Sequence, residues 1–247
     1  MKMVGIIGGS GLNNPDIIND LREVNIATPY GSTTSPLYCG EIGDTTVALI
    51  ARHGIKHQYS PTEVNYRANI YALKEYGVTN IIATTACGSL KQEIERGHFV
   101  ILDQFIDFTK QRISSFHTSF STGVEHTPMA EPFDRNLREI LVATAEELNF
   151  VCHRKGTVIT VEGPRFSSRA ESKMFISWGA DVINMSIATE VALANEVKVP
   201  YAAVAMSTDY DCWKDDEEQV SWDEILKVFN HNVDRVKSLI IRAIQKI

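Results

Sequence analysis

Short apolar runs alternate with segments of helical periodicity along most of the 247 residues. Several runs are continuously apolar rather than alternating, which is typical of strands in a sheet that is covered on both faces. The predicted strands are Met3 to Gly8, Thr46 to Ala51, Asn80 to Thr85, Phe99 to Phe105, Thr157 to Val161, Asp181 to Asn184 and Tyr201 to Met206.

Helix signals lie between these runs. A capping box at Ser60–Glu63, with proline in the first helical position, predicts a helix that begins there and ends before Gly77. A second capping box at residues 221–224 predicts the start of the last helix, and apolar residues recur at helical spacing after it. Further helices are predicted at 134–149, 168–178 and 188–197. We therefore expect an α/β fold, a mixed central sheet flanked by helices, in a single domain spanning residues 1–247.

Composition narrows the classes of function. The formal net charge of −7 argues against nucleic acid as the main partner. No apolar stretch approaches the length of a membrane span, and the run after Met1 is too short for a signal sequence. The four cysteines are isolated along the chain, which is typical of a reducing compartment. We expect a cytoplasmic protein without a membrane or nucleic-acid partner.

Three predicted strands end in residues suited to an anion. Glycines flank Ser10 after the first strand, Arg52 and His53 follow the second, and Thr85 with Ala86 lies at the end of the third. Each segment alone is equally explained as a tight turn, a surface arginine or an ordinary strand. Ligands of open α/β sheets bind beyond the carboxyl ends of the strands, so the three together favour an anion site.

Two common cofactor sites do not fit the same segments. Asn14 occupies the last glycine position of a dinucleotide-binding motif, which argues against a nicotinamide dehydrogenase. His53 and His57 are four residues apart, but Gly54 replaces the glutamate of a zinc-protease motif and no third ligand is evident. We expect no metal and no organic cofactor.

Asp209 and Asp211 follow the last apolar strand and form the most site-like segment of the chain. A carboxylate accepts a hydrogen bond from an exocyclic amine, and a protonated carboxyl donates to a ring nitrogen. Phe166 follows a Gly-Pro turn and could stack on a flat base, while Met185 could lie against a sugar. Phenylalanine and methionine are more often core residues, so composition alone leaves these two roles open.

In chain order, these segments resemble the trimer-type purine nucleoside phosphorylase family, and within it the branch that acts on 5′-methylthioadenosine. The resemblance covers nearly the whole chain and is carried by residues 6–12, 52–54, 84–90, 103–107, 126 with 128–133, 162–171, 178–185 and 208–213. It implies phosphorolysis of 5′-methylthioadenosine to adenine and 5-methylthioribose-1-phosphate. Inorganic phosphate would be the cosubstrate, and the assembly a homotrimer or a dimer of trimers.

The resemblance also implies a role for individual residues. Phosphate would be held by Ser10, Arg52, His53, Thr85, the Ala86 backbone and Ser186. The nucleoside would contact Phe166, Asn184, Met185, Thr208, Asp209 and Asp211, and its 5′ substituent Val220, Trp222, Ile225 and Leu226. Asp209, Asp211 and Ser186 would be catalytic. His126 would reach the site of a neighbouring subunit.

Asp209 bears on the choice of base. Relatives that act on 6-oxopurines commonly have asparagine there, since a carboxylate opposite O6 would set acceptor against acceptor. Such a mismatch costs on the order of 1–3 kcal/mol in a buried site. Trp222 is bulkier than the small aliphatic residue often found in the 5′ wall, so a broader phosphorylase acting on adenosine or inosine is the first alternative. A non-catalytic nucleoside-binding protein is the second, because fold alone does not exclude it.

Overall fold

The structure is a computed structural model that describes residues 2–9, 12, 15–121, 123–215 and 221–247, apart from the side chains of Trp222 and Glu224. Within that part of the chain, the strands are β1 Met3–Gly8, β2 Asn19–Val24, β3 Leu37–Ile42, β4 Thr45–Ala51, β5 Asn80–Ser89, β6 Phe99–Ile101, β7 Gln104–Phe108, β8 Cys152–His153, β9 Thr157–Val161, β10 Val182–Asn184 and β11 Tyr201–Asp209. The helices are α1 Tyr66–Glu75, α2 Arg135–Glu147, α3 Arg169–Ser177, α4 Ile187–Glu196 and α5 Trp222–Ile244.

The described strands form one mixed sheet. Its main path runs β2-β3-β4-β1-β5-β10-β9-β7, while β11 pairs with β5 and β6, and β8 pairs with β6. Strands β4, β1, β5 and β11 are parallel to their neighbours in that group. Their carboxyl ends therefore meet at one edge of the sheet, which is where ligands of such sheets bind. The mixed α/β architecture predicted from the sequence is confirmed.

Helices cover both faces of the sheet. Ile70 of α1 and Val191 of α4 belong to the apolar cluster on one face. Leu141 of α2 and Leu239 of α5 belong to the cluster on the other. The near-continuous apolar strands are thus buried on both sides, as their sequences predict. No helix in the described ranges is long and apolar enough to cross a bilayer.

The predicted strand from Phe99 to Phe105 is wrong, because the chain divides there into β6 and β7. Strand β6 pairs with β11, whereas β7 pairs with β9. The change of partner occurs at Asp103, whose N–H donates to the carbonyl of Gly156 at 3.2 Å. Its carboxylate accepts from the Gly156 N–H at 3.0 Å. These two hydrogen bonds redirect an apolar run that periodicity alone cannot divide.

The predicted helix start at Ser60 is also wrong, since α1 begins at Tyr66. Asn65 is its N-cap, and the Asn65 side chain accepts from the Ala68 N–H at 3.1 Å. Residues 60–63 close a separate turn in which the Ser60 N–H donates to the Glu63 carboxylate at 3.0 Å. The capping-box hydrogen bond from Ser60 forms, but it stabilises a turn ahead of the helix.

Candidate active site

A pocket opens at the carboxyl-end edge of the sheet, where β1, β4, β5 and β11 end. The structure brings twelve of the predicted site residues into its lining: Arg52, His53, Thr85, Ala86, Phe166, Asn184, Met185, Ser186, Thr208, Asp209, Asp211 and Ile225. Ser10 and Val220 lie outside the described residues, as does the side chain of Trp222. The lining divides into an anion end (Arg52, His53, Thr85 and Ser186) and a carboxyl end (Thr208, Asp209 and Asp211).

A buried ion pair forms the base of the anion end. The Arg52 guanidinium donates to the Glu190 carboxylate from Nε at 2.5 Å and from Nη2 at 2.9 Å. Both side chains are almost completely buried, at 1% and 2% exposure. Tyr201 donates its hydroxyl to the same carboxylate at 2.7 Å. The bidentate geometry fixes the plane of the guanidinium and keeps it charged, because Glu190 raises the pKa of Arg52 against the effect of burial.

At the anion end, the backbone after β1 lies so close to Arg52 that the residue there must be glycine. A Cβ atom on Gly9 would lie 2.6 Å from Arg52 Nη1 and 2.9 Å from the Thr84 carbonyl oxygen. Arg52 Nη1 donates to that same carbonyl at 2.8 Å. The arginine can therefore pass directly beneath the strand end only because Gly9 has no side chain.

The remaining groups of the anion end are hydroxyl and amide side chains held by one another. The Asn184 amide donates to Thr85 Oγ1 at 3.3 Å, and its carbonyl oxygen accepts from Thr160 Oγ1 at 2.7 Å. Ser186 is the N-cap of α4, yet its side chain makes no capping hydrogen bond to the helix. The start of a helix favours negative charge, so this hydroxyl and the helix dipole suit the same anion.

His53 is held in the neutral form. Burial and the neighbouring Arg52 charge lower the pKa of His53 to about 3. His53 Nδ1 lies 2.9 Å from the Tyr59 carbonyl oxygen. Because a carbonyl only accepts, the ring proton must be on Nδ1, and Nε2 has a free lone pair. The ring can therefore accept a hydrogen bond at the anion end without adding charge.

The carboxyl end is shaped by a β-bulge. Opposite β5, Ser207 pairs with Cys87 and Asp209 with Gly88, so Thr208 is an extra residue in β11. Bulges re-aim side chains and are common beside active sites. The Asp209 carboxylate accepts from the Thr208 hydroxyl at 2.8 Å and from the Asp211 N–H at 2.8 Å. A Cβ atom on Gly88 would lie 2.9 Å from Asp209 Oδ1, so glycine is needed there too.

Both acids at this end hold protons more tightly than usual. Burial raises the pKa of Asp209 to about 6, although its hydrogen bonds from Thr208 and Asp211 oppose the shift. Burial also raises the pKa of Asp211. A carboxyl that titrates near neutral pH can donate a proton in one step and recover it in the next, which is the behaviour required of a general acid.

Apolar side chains complete the lining of the pocket. Phe166 is partly exposed at 37%, and Met185, Ile183 and Ile225 complete this surface. Gly163 has a φ angle of 67°, and a Cβ atom there would lie 2.5 Å from Met185 Sδ. The turn before Phe166 is thus packed directly on the methionine, and the Phe166 ring offers an apolar face on which a flat ligand can stack.

Two predicted residues are not in the pocket of the single chain. His126 is exposed and packs edge-on against Phe120, with ring centroids 5.5 Å apart. It borders a separate depression that also includes Asn195 and Lys198. Leu226 is half-buried on α5, next to Ile225, and does not line the pocket. Their predicted roles, at a neighbouring subunit and in the 5′ wall, stay predictions.

Sequence reasoning missed Glu190, the partner of Arg52. The available signal was a lone carboxylate in the mostly apolar and alanine-rich stretch at residues 187–194, which forms most of α4. A charge is rarely buried unless it is paired, so an acid in that position predicts a buried cation nearby. No cluster of three or more histidine, cysteine, aspartate or glutamate side chains in the described part of the chain could hold a metal ion.

The fold and pocket together define an α/β protein with a paired arginine and hydroxyl groups at one end of its pocket and two buried acids at the other. Comparison with known proteins identifies the family to which the chain belongs. The model of the Phosphorylase superfamily matches residues 3–245, and the chain belongs to that superfamily.

Two relatives are S-methyl-5′-thioadenosine phosphorylases. The protein of Danio rerio is 51% identical over 247 residues, with 99% of this chain and 88% of the relative covered. That of Xenopus tropicalis is 52% identical over 248 residues, with the same coverage. A solved methylthioadenosine phosphorylase of Schistosoma mansoni in complex with adenine superposes with a TM-score of 0.94 at 38% identity, covering 99% of this chain and 91% of its own. A mutant of that enzyme in complex with methylthioadenosine gives 0.93 at 37% identity, with equal coverage.

Proposed function

We propose that the protein, as one nucleoside phosphorylase domain, catalyses phosphorolysis of 5′-methylthioadenosine to adenine and 5-methylthioribose-1-phosphate. The observation that carries the proposal is the position of the paired Arg52 and the protonatable Asp209 in one pocket. The relatives that share half of the sequence, and the superposed enzyme with methylthioadenosine bound, support the choice of substrate.

Inorganic phosphate is the cosubstrate and occupies the anion end. The Arg52 guanidinium and the hydroxyls of Thr85 and Ser186 bind it, the Ala86 backbone and Ser10 add donors, and neutral His53 accepts from a phosphate hydroxyl. Because the Glu190 carboxylate balances the charge of Arg52, the site binds phosphate largely by directed hydrogen bonds. No metal or organic cofactor takes part.

The purine lies at the carboxyl end, stacked on Phe166, with the ribose against Met185. As the bond between N9 and C1′ breaks, its electron pair moves to the purine, and the sugar acquires oxocarbenium character. Asp209 donates its proton to N7 and so stabilises the leaving base, while Asp211 accepts from the 6-amino group. A phosphate oxygen then forms the new bond to C1′. A hydrogen bond from Thr208 holds Asp209 in position, and one from Asn184 holds Thr85.

The 5′ substituent lies against the start of α5. Ile225 is buried and lines the pocket. Val220, Trp222 and Leu226 complete an apolar wall in this proposal, and an apolar wall favours a methylthio group over a hydroxyl, which would lose hydrogen bonds to water. We also propose a homotrimer or a dimer of trimers, in which His126 closes the pocket of a neighbouring subunit.

The test is to mix the purified protein with methylthioadenosine, adenosine, methylthioinosine or inosine, with and without phosphate, and to measure free base. We expect phosphate-dependent adenine release that is fastest from methylthioadenosine. Hypoxanthine release alone would overturn the role of Asp209. Equal rates from adenosine and methylthioadenosine would overturn the apolar 5′ wall. Binding of the nucleosides with no release would indicate a binding protein instead of an enzyme.

A further inference from the structure

Arg112 is a buried arginine outside the pocket, on the long irregular segment that follows β7. Its side chain is 1% exposed. Nε donates to Glu162 Oε1 at 3.3 Å. Nη1 donates to the Tyr66 hydroxyl at 3.1 Å and to the Met185 carbonyl at 2.5 Å. Nη2 donates to the backbone carbonyls of Glu162 at 2.7 Å and Val161 at 3.4 Å. These contacts use all five N–H donors of the guanidinium. None is left for a ligand, so Arg112 can affect a reaction only through what it holds.

What Arg112 holds is one wall of the pocket. Val161 and Met185 line the pocket with their side chains and accept from Arg112 with their backbone carbonyls. Pro61 lines the pocket too, and its carbonyl accepts from the Tyr66 hydroxyl at 2.9 Å. That hydroxyl in turn accepts from Arg112. We call Pro61, Val161 and Met185 the nucleoside wall, because Met185 is assigned above to the sugar and a Cβ atom on Gly163 would lie 2.5 Å from Met185 Sδ and 3.4 Å from Pro61 Cγ.

Glu162 links the same wall to two further segments. Its carboxylate accepts from the Thr62 hydroxyl at 2.8 Å and from the Lys110 and Gln111 N–H groups at 2.6 and 3.0 Å. The partly buried ion pair of Arg112 and Glu162 therefore joins the turn at residues 60–63, the end of β9 and the start of the segment at 110–112. The segment that follows β7 is thereby attached to the pocket at this point.

We infer that Arg112 is a positioning residue for the nucleoside half of the reaction. Arg112 donates from outside the pocket to the backbone carbonyls of Val161, Glu162 and Met185. It thereby sets the distance between Met185 and the Phe166 side of the pocket. The anion end has its own ion pair, Arg52 with Glu190, and does not share acceptors with Arg112. Loss of Arg112 therefore affects nucleoside binding and leaves phosphate binding largely unchanged. This inference rests on the proposed function for the identity of the two ligands.

Lysine cannot replace Arg112. Lysine has three donors on a single nitrogen, whereas the five acceptors here surround a planar group on two sides. Arg112→Lys keeps the charge but leaves at least two of the five acceptors unpaired, and Arg112→Met removes every hydrogen bond at similar length. A positioning role thus predicts that both variants are impaired, with Arg112→Lys the less affected of the two.

The experiment compares KM for methylthioadenosine with KM for phosphate in wild type, Arg112→Lys and Arg112→Met. We expect Arg112→Met to raise KM for the nucleoside about tenfold or more, since small displacements of a positioned ligand are costly. KM for phosphate should stay within about twofold. Calorimetric titration of each variant with methylthioadenosine, in the absence of phosphate, gives the same comparison without turnover.

Two controls separate positioning from loss of stability. Arg135→Met removes an exposed arginine that pairs with Glu139, and neither KM should change. Val142→Ala destabilises buried α2 away from the pocket and should lower the melting temperature without a selective change in either KM. Unchanged nucleoside KM in Arg112→Met, or an equal rise in both KM values, would overturn the inference.

Failure of the proposed function gives a different pattern. Wild type that binds methylthioadenosine without releasing adenine would overturn the proposed reaction, and weaker binding to Arg112→Met would still support the inference. Wild type that neither binds nor cleaves the nucleoside would overturn both.

Discussion

At the anion end of the pocket a buried cation is paired with a buried anion, whereas at the carboxyl end two acids are buried close together. The Arg52–Glu190 pair is bidentate, so the charge of Arg52 does not vary near neutral pH. Asp209 has a pKa of about 6 because of burial, and its charge therefore does vary there. The anion end therefore holds a permanent charge in a fixed orientation, whereas the carboxyl end can exchange a proton.

Asp209→Asn removes proton exchange at the carboxyl end and should have the largest effect on rate. Asparagine keeps the shape and can still accept from Thr208, but it has no acidic proton for N7. We expect kcat/KM for methylthioadenosine to fall by about two to four powers of ten, the usual contribution of a general acid. Selectivity toward 6-oxopurine nucleosides should relax in the same variant. The exposed Asp107→Asn is the matched control, and equal activity of the two variants would remove Asp209 from the mechanism.

Glu190→Ala breaks the permanent charge pair at the anion end. The substitution leaves the buried Arg52 guanidinium and the Tyr201 hydroxyl without their acceptor. Removing one partner of a buried ion pair costs about 3–5 kcal/mol of unfolding free energy, which urea denaturation measures. Glu139→Ala, at the exposed pair with Arg135, should change stability little. Similar losses in the two variants would contradict the distinction between buried and exposed pairs.

The titration of Asp209 should be visible in the ratio of kcat/KM between wild type and Asp209→Asn. The ordinary pKa of an aspartate is 3.8, and that of Asp209 is about 6, so Asp209 is protonated below about pH 6 and ionised above it. We expect the wild-type to Asp209→Asn ratio of kcat/KM to fall about tenfold per pH unit above that value. Ionisation of phosphate is common to both proteins and cancels. A ratio that is constant between pH 5 and 8 would show that Asp209 does not titrate as the general acid.

The smallest expected effect concerns His53. Its pKa is lowered to about 3 by burial and the Arg52 charge, so the imidazole should remain neutral across pH 5–8. The proton NMR signals of His53, assigned by comparison with His53→Asn, should not shift in that interval. A titration near the ordinary value of 6.5 would mean that water reaches the anion end.

The sequence predicts most of this architecture because the relevant signals are local. Continuous apolar strands and the helices predicted at 134–149 and 168–178 rest on signals that act within a few residues. In the structure α2 begins after the N-cap Asp134, and α3 begins after a capping box of Ser168 with Glu171. Strands β2 and β3 were not predicted. The residues of β2 are mostly exposed and polar, so no hydrophobic pattern marks it as a strand. Its hydrogen bonds to β3 come from tertiary pairing.

Within the site, strand ends and unusual residue types in the sequence indicated which residues contact a ligand. They did not indicate which residues hold those side chains in position. Arg52 and Asp209 stand out because they follow apolar strands at the carboxyl ends, where ligands of open α/β sheets bind. Glu190 and Arg112 are 138 and 73 residues from partners that define their roles, Arg52 and the Met185 carbonyl. No periodicity connects positions so far apart. Such contacts depend on the folded backbone, and physical reasoning from one sequence does not reach them.

The rate of adenine release from methylthioadenosine, measured against phosphate concentration, tests the central claim most directly. A site that combines a phosphate-binding end with a general acid predicts a rate that saturates with phosphate and extrapolates to zero without it. The sugar product should then be methylthioribose-1-phosphate in equal amount to adenine. Adenine release that is independent of phosphate, with free methylthioribose as the product, would show hydrolysis and contradict the account.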